Sequence, residues 1–423
     1  MKTIYRCYLF VLYFFIYFSC YIKLSKLCAY LIKISLIQNK NFSLETNSKK
    51  LFIVLDRSIG RRDVEIIFKS LKKPPNILFM RRTIAKVVFF YFCNKNKLFF
   101  NYLKPKHSEQ DYFRQKKNDK KEHEEFWVSV MYHLKKIYKN KNLNFITFNF
   151  TYYTEAALYA GCNKNKIPVK LWHKECFMSD PDVKYRIKVN KFKNMFKFFD
   201  QISVYNNFIK EMLIKMEKSN RYKISVNGSP RVYDFIDKKR YFRKVKNILF
   251  LAFNSRTGIP PIDKHKSLNW KFSYDKVIKL LNELSKNKNQ NIIIKRKNSS
   301  SYKSPVNVSK NIKIFEQGTA EKFINKADII IGHNSGSTIE ALLSGKHVMV
   351  PFFENNTTLK KFLYNFDKSI IFTSEKKMKK HLQVMIDRKI SFPLKNIKSQ
   401  KTISYYLGNH KNIKRMYLKF LNA

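Results

Sequence analysis

Short uninterrupted apolar runs alternate with longer segments of helical periodicity along this chain. LFIVLD (51 to 56), NILFM (76 to 80), FITFNF (145 to 150) and VKLWHKE (169 to 175) have strand length and predict buried strands. Helical patterns follow at 62 to 71 and from about Glu155. A second series opens with KNILFLAFNS (246 to 255) and continues through an amphipathic helix at 273 to 288 and the strands NIIIKRK (291 to 297) and IKIFEQG (312 to 318). A short helix, AEKFINKA, then feeds DIIIG (328 to 332), the helix TIEALLSG (338 to 345) and the strand KHVMVPF (346 to 352). Strand followed by helix, repeated, predicts an α/β fold with parallel sheets. The two series join near 236 to 245, which divides the chain into domains at 50–240 and 241–395. A last amphipathic helix, about 401 to 421 within a segment 396–423, is expected to pack back across both. Residues 104–125 are almost wholly polar and predict an exposed insertion.

The N-terminal segment, 1–49, differs. From Cys7 to Ile22 it is uncharged and largely aromatic, flanked by Arg6 and Lys23. The run is short of the ~20 residues a bilayer span needs, but Ile4, Tyr5 and snorkelling basic side chains complete it. Lysines lie mainly after it (Lys23, Lys26, Lys33), which places the main body at the cytoplasmic face of the inner or plasma membrane. A buried helix of the fold is the alternative.

Charge sharpens the question of partners. Against 30 acidic residues stand 85 Lys plus Arg, a formal net charge of +55. Such an excess suits an anionic partner: an anionic membrane surface, a phosphorylated metabolite or nucleic acid. The basic residues are spread along the chain and no nucleic-acid motif occurs, so no specific nucleic acid is expected. The 38 Phe and 25 Tyr also fit a compositional bias toward A/T-rich codons. The six cysteines contain no C-x-x-C pair, and no disulfide framework or metal site is expected.

Three of nine glycines fall in DIIIGHNSGSTIEALLSGKHVMVPFF. HNSGS is a turn between a strand and a helix, and Gly345 is placed for a left-handed C-cap. A helix N-terminus with free N–H groups favours an anion, and Ser335, Ser337 and Thr338 add hydroxyl donors. Glu340 lies one turn further on, where a carboxylate can accept from ribose hydroxyls. The same residues also read as an ordinary helix N-cap with no ligand. Neither G-x-x-x-x-G-K-[ST] nor G-x-G-x-x-G occurs.

This segment resembles the donor-nucleotide segment of the GT-B glycosyltransferases and of their relatives, the non-hydrolysing UDP-GlcNAc 2-epimerases and the CDP-glycerol glycerophosphotransferases. LWHKE, ISVYNN and ISVNGSPRVYDF (224 to 235) resemble bacterial surface-carbohydrate biosynthesis proteins of the same fold. The resemblance implies two Rossmann-like domains facing across a cleft, preceded by the N-terminal hydrophobic helix. It implies that His333, Asn334, Ser335, Gly336, Ser337 and Thr338 contact donor phosphates, that Glu340 holds the ribose, and that Gly228, Ser229 and Arg231 line the cleft. Lys295 is a candidate to neutralise the leaving diphosphate, or else a solvated lysine.

Transfer to a hydroxyl needs a base near the acceptor. WHKECFMSDPD offers Glu175 first and His173 second, with Asp180 and Asp182 nearby. No metal and no cofactor are expected, the nucleotide-sugar being a substrate. Retaining relatives carry two Glu eight apart, but Gly332 and Val348 occupy those positions around Glu340, which favours inversion. Ala341 follows Glu340 where the epimerases have a second Glu. The expected function is a membrane-associated glycosyltransferase acting on a surface polysaccharide or lipid-linked acceptor. The alternatives are a glycerophosphotransferase or 2-epimerase of the same fold, a non-catalytic scaffold, or a nucleic-acid-binding protein.

Overall fold

The computed structural model describes residues 2–38, 49–56, 58–71, 75–93, 115–151, 153–174, 177–189, 193–234, 241–265, 268–286, 289–297, 302–392, 397–408 and 412–422. Its strands are β1 Ile37–Gln38, β2 Lys50–Asp56, β3 Asn76–Arg81, β4 Asn142–Thr147, β5 Val169–Trp172, β6 Gln201–Val204, β7 Ile224–Val226, β8 Tyr241–Lys244, β9 Asn247–Leu251, β10 Asn291–Lys295, β11 Lys313–Phe315, β12 Ile329–Ile331, β13 His347–Pro351, β14 Ile371–Phe372 and β15 Lys389–Phe392. Its principal helices are α1 Lys2–Tyr21, α2 Ser25–Ser35, α3 Ser58–Ser70, α4 Arg82–Cys93, α5 Lys117–Ile137, α6 Ala156–Lys164, α7 Asp180–Val189, α8 Asn207–Met216, α9 Lys271–Leu284, α10 Ala320–Lys326, α11 Gly336–Leu343, α12 Glu375–Asp387, α13 Ile397–Leu407 and α14 Ile413–Asn422.

Two sheets result. The first has the order β1-β3-β2-β4-β5-β6-β7, parallel except for β1. The second is wholly parallel, with the order β11-β10-β9-β12-β13-β14. The inner strands of both are continuous, largely buried apolar runs, as helix-covered parallel sheets require, whereas the edge strands β7 and β14 are half-buried and β11 is exposed. An antiparallel ribbon pairs β8 with β15, beside the junction of the two series.

FITFNF leaves the sheet at Thr147 because Asn149 Oδ1 accepts from the N–H and hydroxyl of Thr151, both at 2.8 Å, and turns the chain. The polar stretch 104–125 is not wholly a loop. From Lys117 it is the start of α5, which buries His123, Phe126, Trp127, Val130, Met131 and Leu134. Charges on the outer face of its first turns hide the inward stripe; residues 104–114 lie outside the described residues.

The single helix expected at 401–421 is two helices. Gly408 adopts φ +76°, and a Cβ there would sit 2.0 Å from the Tyr205 carbonyl oxygen. Only glycine lets the backbone pass that closely. Beyond it, Tyr417 stacks on Trp172 with centroids 4.0 Å apart, and Lys170 Nζ donates to the Phe420 carbonyl at 2.8 Å near the end of α14. The chain that completes the second sheet thus returns to the first.

The N-terminal hairpin is part of this body. α1 packs on α4, with Tyr17 meeting the Phe90 and Tyr91 rings at centroid distances of 6.5 and 5.4 Å, and also on α2, while α2 packs on α5; Leu12, Ile16, Ser19 and Cys20 of α1 and Cys28, Ala29 and Ile32 of α2 are buried. Its 18-residue stretch Ile4–Tyr21 is also long and apolar enough to cross a membrane.

Candidate functional site

The second sheet reads 3-2-1-4-5-6 when its strands are counted from β9, so its topology reverses between β9 and β12. Open α/β sheets bind ligands in the crevice at the carboxyl ends of the strands at such a switch point. Two loops meet there: 252 to 259 after β9, and 332 to 335 after β12, leading into α11.

The loop into α11 is built mostly by its own packing. A Cβ on Gly332 would lie 2.5 Å from Thr338 Oγ1, and one on Gly336 would lie 2.8 Å from the Phe177 ring of the first domain. Both glycines are therefore small because something is packed against them. Gly345 has φ +66°, and the N–H groups of Gly345 and Lys346 bond to the carbonyls of Leu342 and Ala341, a Schellman C-cap. Ser335 is the N-cap, its Oγ accepting from the Thr338 N–H at 3.2 Å. Asn334 fixes the neighbouring loop, donating to the Phe362 carbonyl and accepting from the Tyr364 N–H at 2.9 Å.

His333 is fully buried between Phe253, with centroids 4.5 Å apart, and Trp270, at 4.7 Å. Burial pushes its pKa down to about 3, so the ring is neutral, and neither ring nitrogen has a hydrogen-bond partner among the described residues. What remains free for a ligand is the half-buried Ser337 with the first two helical N–H groups, on Gly336 and Ser337, which find no acceptor among the described residues.

Glu340 meets a guanidinium. Arg231 donates to Asp63 through Nε at 2.9 Å and Nη2 at 3.2 Å, and through Nη1 to Glu340 at 3.3 Å. The Tyr205 hydroxyl also donates to Asp63. All three ionic groups are buried. Burial works against the charge on Arg231, but Asp63, Tyr205 and Glu340 together outweigh it and raise its pKa well above the ordinary value. Glu340 is the weaker partner: burial raises its pKa, and Arg231 only partly offsets this. Because Asp63 belongs to α3 and Glu340 to α11, this cluster ties the two sheets together. Arg62 and Glu321, 2.6 Å apart, form a second tie between α3 and α10.

The other expected site residues are distributed as follows. Gly228, at φ +74°, accepts from the Tyr417 hydroxyl at 3.0 Å, and the buried Ser229 donates its N–H to the Leu407 carbonyl at 2.8 Å. Both anchor the returning C-terminal segment. Lys295 is buried and donates to the carbonyls of Arg296 and of Glu316, the latter at 3.0 Å. His173 follows β5, stacked on Phe150 with centroids 5.1 Å apart. Glu175 lies outside the described residues, two positions before Phe177, whose ring reaches Gly336 and whose carbonyl accepts from the Tyr364 hydroxyl at 3.0 Å. Asp182 caps the start of α7 by accepting from Ser179, and its pKa is raised, chiefly by burial.

Sequence reasoning missed Asp63, Phe177 and the loop after β9. Asp63 was visible as a carboxylate within the apolar stripe of α3, between Gly60 and Val64, Ile67 and Phe68. Asn254, Ser255 and Arg256 line a cavity of about 470 Å³ together with Asp263, His265 and Lys271. No motif marks them; their position after the first strand of the second sheet does.

No family model matches the sequence, nor does any curated protein. Solved structures do match. The UDP-GlcNAc 2-epimerase of Methanocaldococcus jannaschii gives a TM-score of 0.50 at 14% identity, covering 88% of this chain and 100% of that one. The UDP-GlcNAc 2-epimerase of Neisseria meningitidis, solved bound to UDP-GlcNAc, gives 0.49 at 13% identity over 88% and 99%. The wall teichoic acid polymerase TagF gives 0.40 at 11% identity over 70% and 84%. The fold is α/β of the GT-B kind, two doubly wound parallel-sheet domains as in the UDP-GlcNAc 2-epimerase matched at a TM-score of 0.50, and this chain carries an apolar helix at Lys2–Tyr21. At these identities the likeness defines the fold; activity has to be argued from the site.

Proposed function

We propose that this chain is a glycosyltransferase that moves a sugar from a nucleotide-sugar donor to a surface polysaccharide or lipid-linked acceptor at the cytoplasmic face of the membrane. The observation that carries this reading is the N-terminus of α11, whose unspent N–H groups on Gly336 and Ser337 sit at the switch point of the second sheet. The donor diphosphate binds there, with Arg256 of the facing loop as its cationic partner. Glu175, two positions before Phe177 in the sequence, is the assigned base, and His173 the second choice. The acceptor hydroxyl gives its proton to that base while its oxygen bonds to the anomeric carbon. The bond from that carbon to the diphosphate breaks with inversion, and the leaving charge falls on the α11 N-terminus. Neither metal nor cofactor is assigned a part.

Thermal-shift binding of UDP, CDP, GDP and their sugar conjugates tests this with wild type and Ser337→Asp. An acid at that position suits the helix dipole, so the fold is retained, but it repels a diphosphate. The expected result is stabilisation by one nucleotide class, absent in the variant. Stabilisation by none would leave 333 to 338 as a helix cap only and defeat the reading. Interconversion of sugar epimers without an acceptor would select the 2-epimerase alternative, which Ala341 disfavours.

A further inference from the structure

The outer face of the N-terminal hairpin takes no part in the site described above. Opposite its buried stripe, α1 presents Ile4, Tyr8, Val11, Phe15 and Phe18 to solvent at alternating spacings of four and three, the repeat of one helix face, and Ile22 just past the helix end is exposed as well. Leu24, Tyr30 and Ile34 continue the apolar surface over α2. Soluble proteins rarely leave so large a contiguous apolar patch uncovered. Lysines rim it: Lys23, Lys26 and Lys33 on the hairpin, with Lys33 Nζ 6.0 Å above the Tyr30 ring, then Lys136 on α5, 4.5 Å above the exposed Tyr132 ring. Lys135, Lys136, Lys139, Lys141 and Lys166 line a cavity of about 630 Å³ at this end of the domain. The hairpin and α5 lysines share one field, since His133 has its pKa lowered first by burial and then by Lys136 and Lys26 together.

An aromatic apolar face with a lysine rim complements an anionic bilayer: apolar side chains enter the acyl boundary, and ammonium groups meet headgroup phosphates. Although α1 is long and apolar enough to span, its other face belongs to the protein core. Spanning would pull Tyr17 away from the rings of α4 and expose the buried Leu12, Ile16, Ser19 and Cys20.

We propose that the α1–α2 hairpin docks the protein monotopically on an anionic lipid surface, with α1 in the plane of the interface and both its ends on the side of the catalytic body. This gives a surface to the membrane location in the function proposed above; vesicle binding and nucleotide binding are read separately, so either can fail alone.

Flotation of the full-length chain with vesicles of phosphatidylcholine, or of phosphatidylcholine and phosphatidylglycerol at about 3:1, tests it at about 0.1 M salt. Wild type is expected to float with the anionic vesicles, and Val11→Glu/Phe18→Glu to stay behind while keeping the wild-type melting temperature, because both side chains point away from the fold. Lys26→Gln/Lys33→Gln should weaken partition roughly fivefold per lysine. A protease site placed ahead of Lys2 should remain cleavable on bound vesicles. The proposal is overturned if the glutamate variant floats like wild type, since adhesion would then come from overall charge, or if the N-terminal site becomes protected, since the helix would then span. It is equally overturned if wild type does not float, or if it forms a dimer that the glutamate variant dissolves, which would make the face an interface between copies.

Discussion

Arg231→Ala is the perturbation with the largest consequence worked from the structure. Arg231 is only 6% exposed, and its removal leaves Asp63, 0% exposed, and Glu340, 5% exposed, without their cation. Breaking a buried ion pair by deleting one partner costs about 3–5 kcal/mol, because the remaining charge stays desolvated. The tie between Arg62 and Glu321 joins the same two domains with side chains about a quarter exposed, and is worth about 0.2–1 kcal/mol. Urea denaturation of Arg231→Ala and Arg62→Ala therefore compares two interdomain ion pairs that differ chiefly in burial.

The pH dependence has a definite sign. Glu340 has a folded-state pKa above its unfolded value, so the native state binds the extra proton between the two. Its contribution to stability is present below the unfolded pKa and is lost as pH rises through the folded one. Without Arg231, Glu340 loses its main charge-stabilising neighbour and its pKa rises further. The Arg231→Ala deficit should thus be largest near about pH 8 and shrink toward about pH 5, where the carboxyl can take up a proton. A deficit below about 1 kcal/mol, or one constant across that range, would refute the view of this cluster as a buried ionic tie.

Other outcomes follow from particular contacts. Gly336→Ala drives a methyl into the Phe177 ring and should cost about 1–3 kcal/mol, part of it recovered by Phe177→Ala in a chemical-denaturation cycle. His333→Phe should leave stability unchanged or higher, because neither ring nitrogen is hydrogen-bonded among the described residues; if it instead abolishes nucleotide stabilisation, His333 is a ligand contact and not a core aromatic. Burial lowers the pKa of His123 and His333 to about 3 and of His347 to about 4, so their stabilising effect is complete above the unfolded value and fades as pH falls through it. His333→Phe should accordingly flatten acid unfolding between about pH 6.5 and 3. Tyr417→Ala removes the stack on Trp172 and should cost about 3–5 kcal/mol in thermal unfolding.

The two βα series were legible because buried parallel strands are uninterrupted apolar runs, and LFIVLD and NILFM match β2 and β3 almost residue for residue. The turn 333 to 337 was legible for the same local reason, as a Ser/Gly cluster between a strand and a helix. Long-range partners leave no such mark. Nothing near Glu340 announces that Arg231, 109 positions earlier, lies against it, nor that Asp63 lies on the other side of Arg231. Likewise Gly332 and Gly336 look like phosphate glycines in sequence, whereas the atoms that forbid a Cβ belong to Thr338 and Phe177.

These partners divide α11 into two regions with different duties. Its first turn keeps N–H groups and the Ser337 hydroxyl available, while its second turn commits Glu340 to the interdomain tie. A nucleotide bound at the first turn would compete with Arg231 for Glu340, and Asp63 holds Arg231 in place with two hydrogen bonds. Apparent affinity then falls by the fraction of molecules in which Glu340 is released. Weakening the Asp63 side should therefore do the opposite of weakening the Glu340 side: Asp63→Asn loosens Arg231 and tightens nucleotide binding, whereas Glu340→Ala removes the side-chain acceptor and weakens it. Titration of the stabilising nucleotide against both variants separates the two effects. Equal affinities in wild type, Asp63→Asn and Glu340→Ala would show that Glu340 serves only the tie and that the donor is held entirely by the first turn.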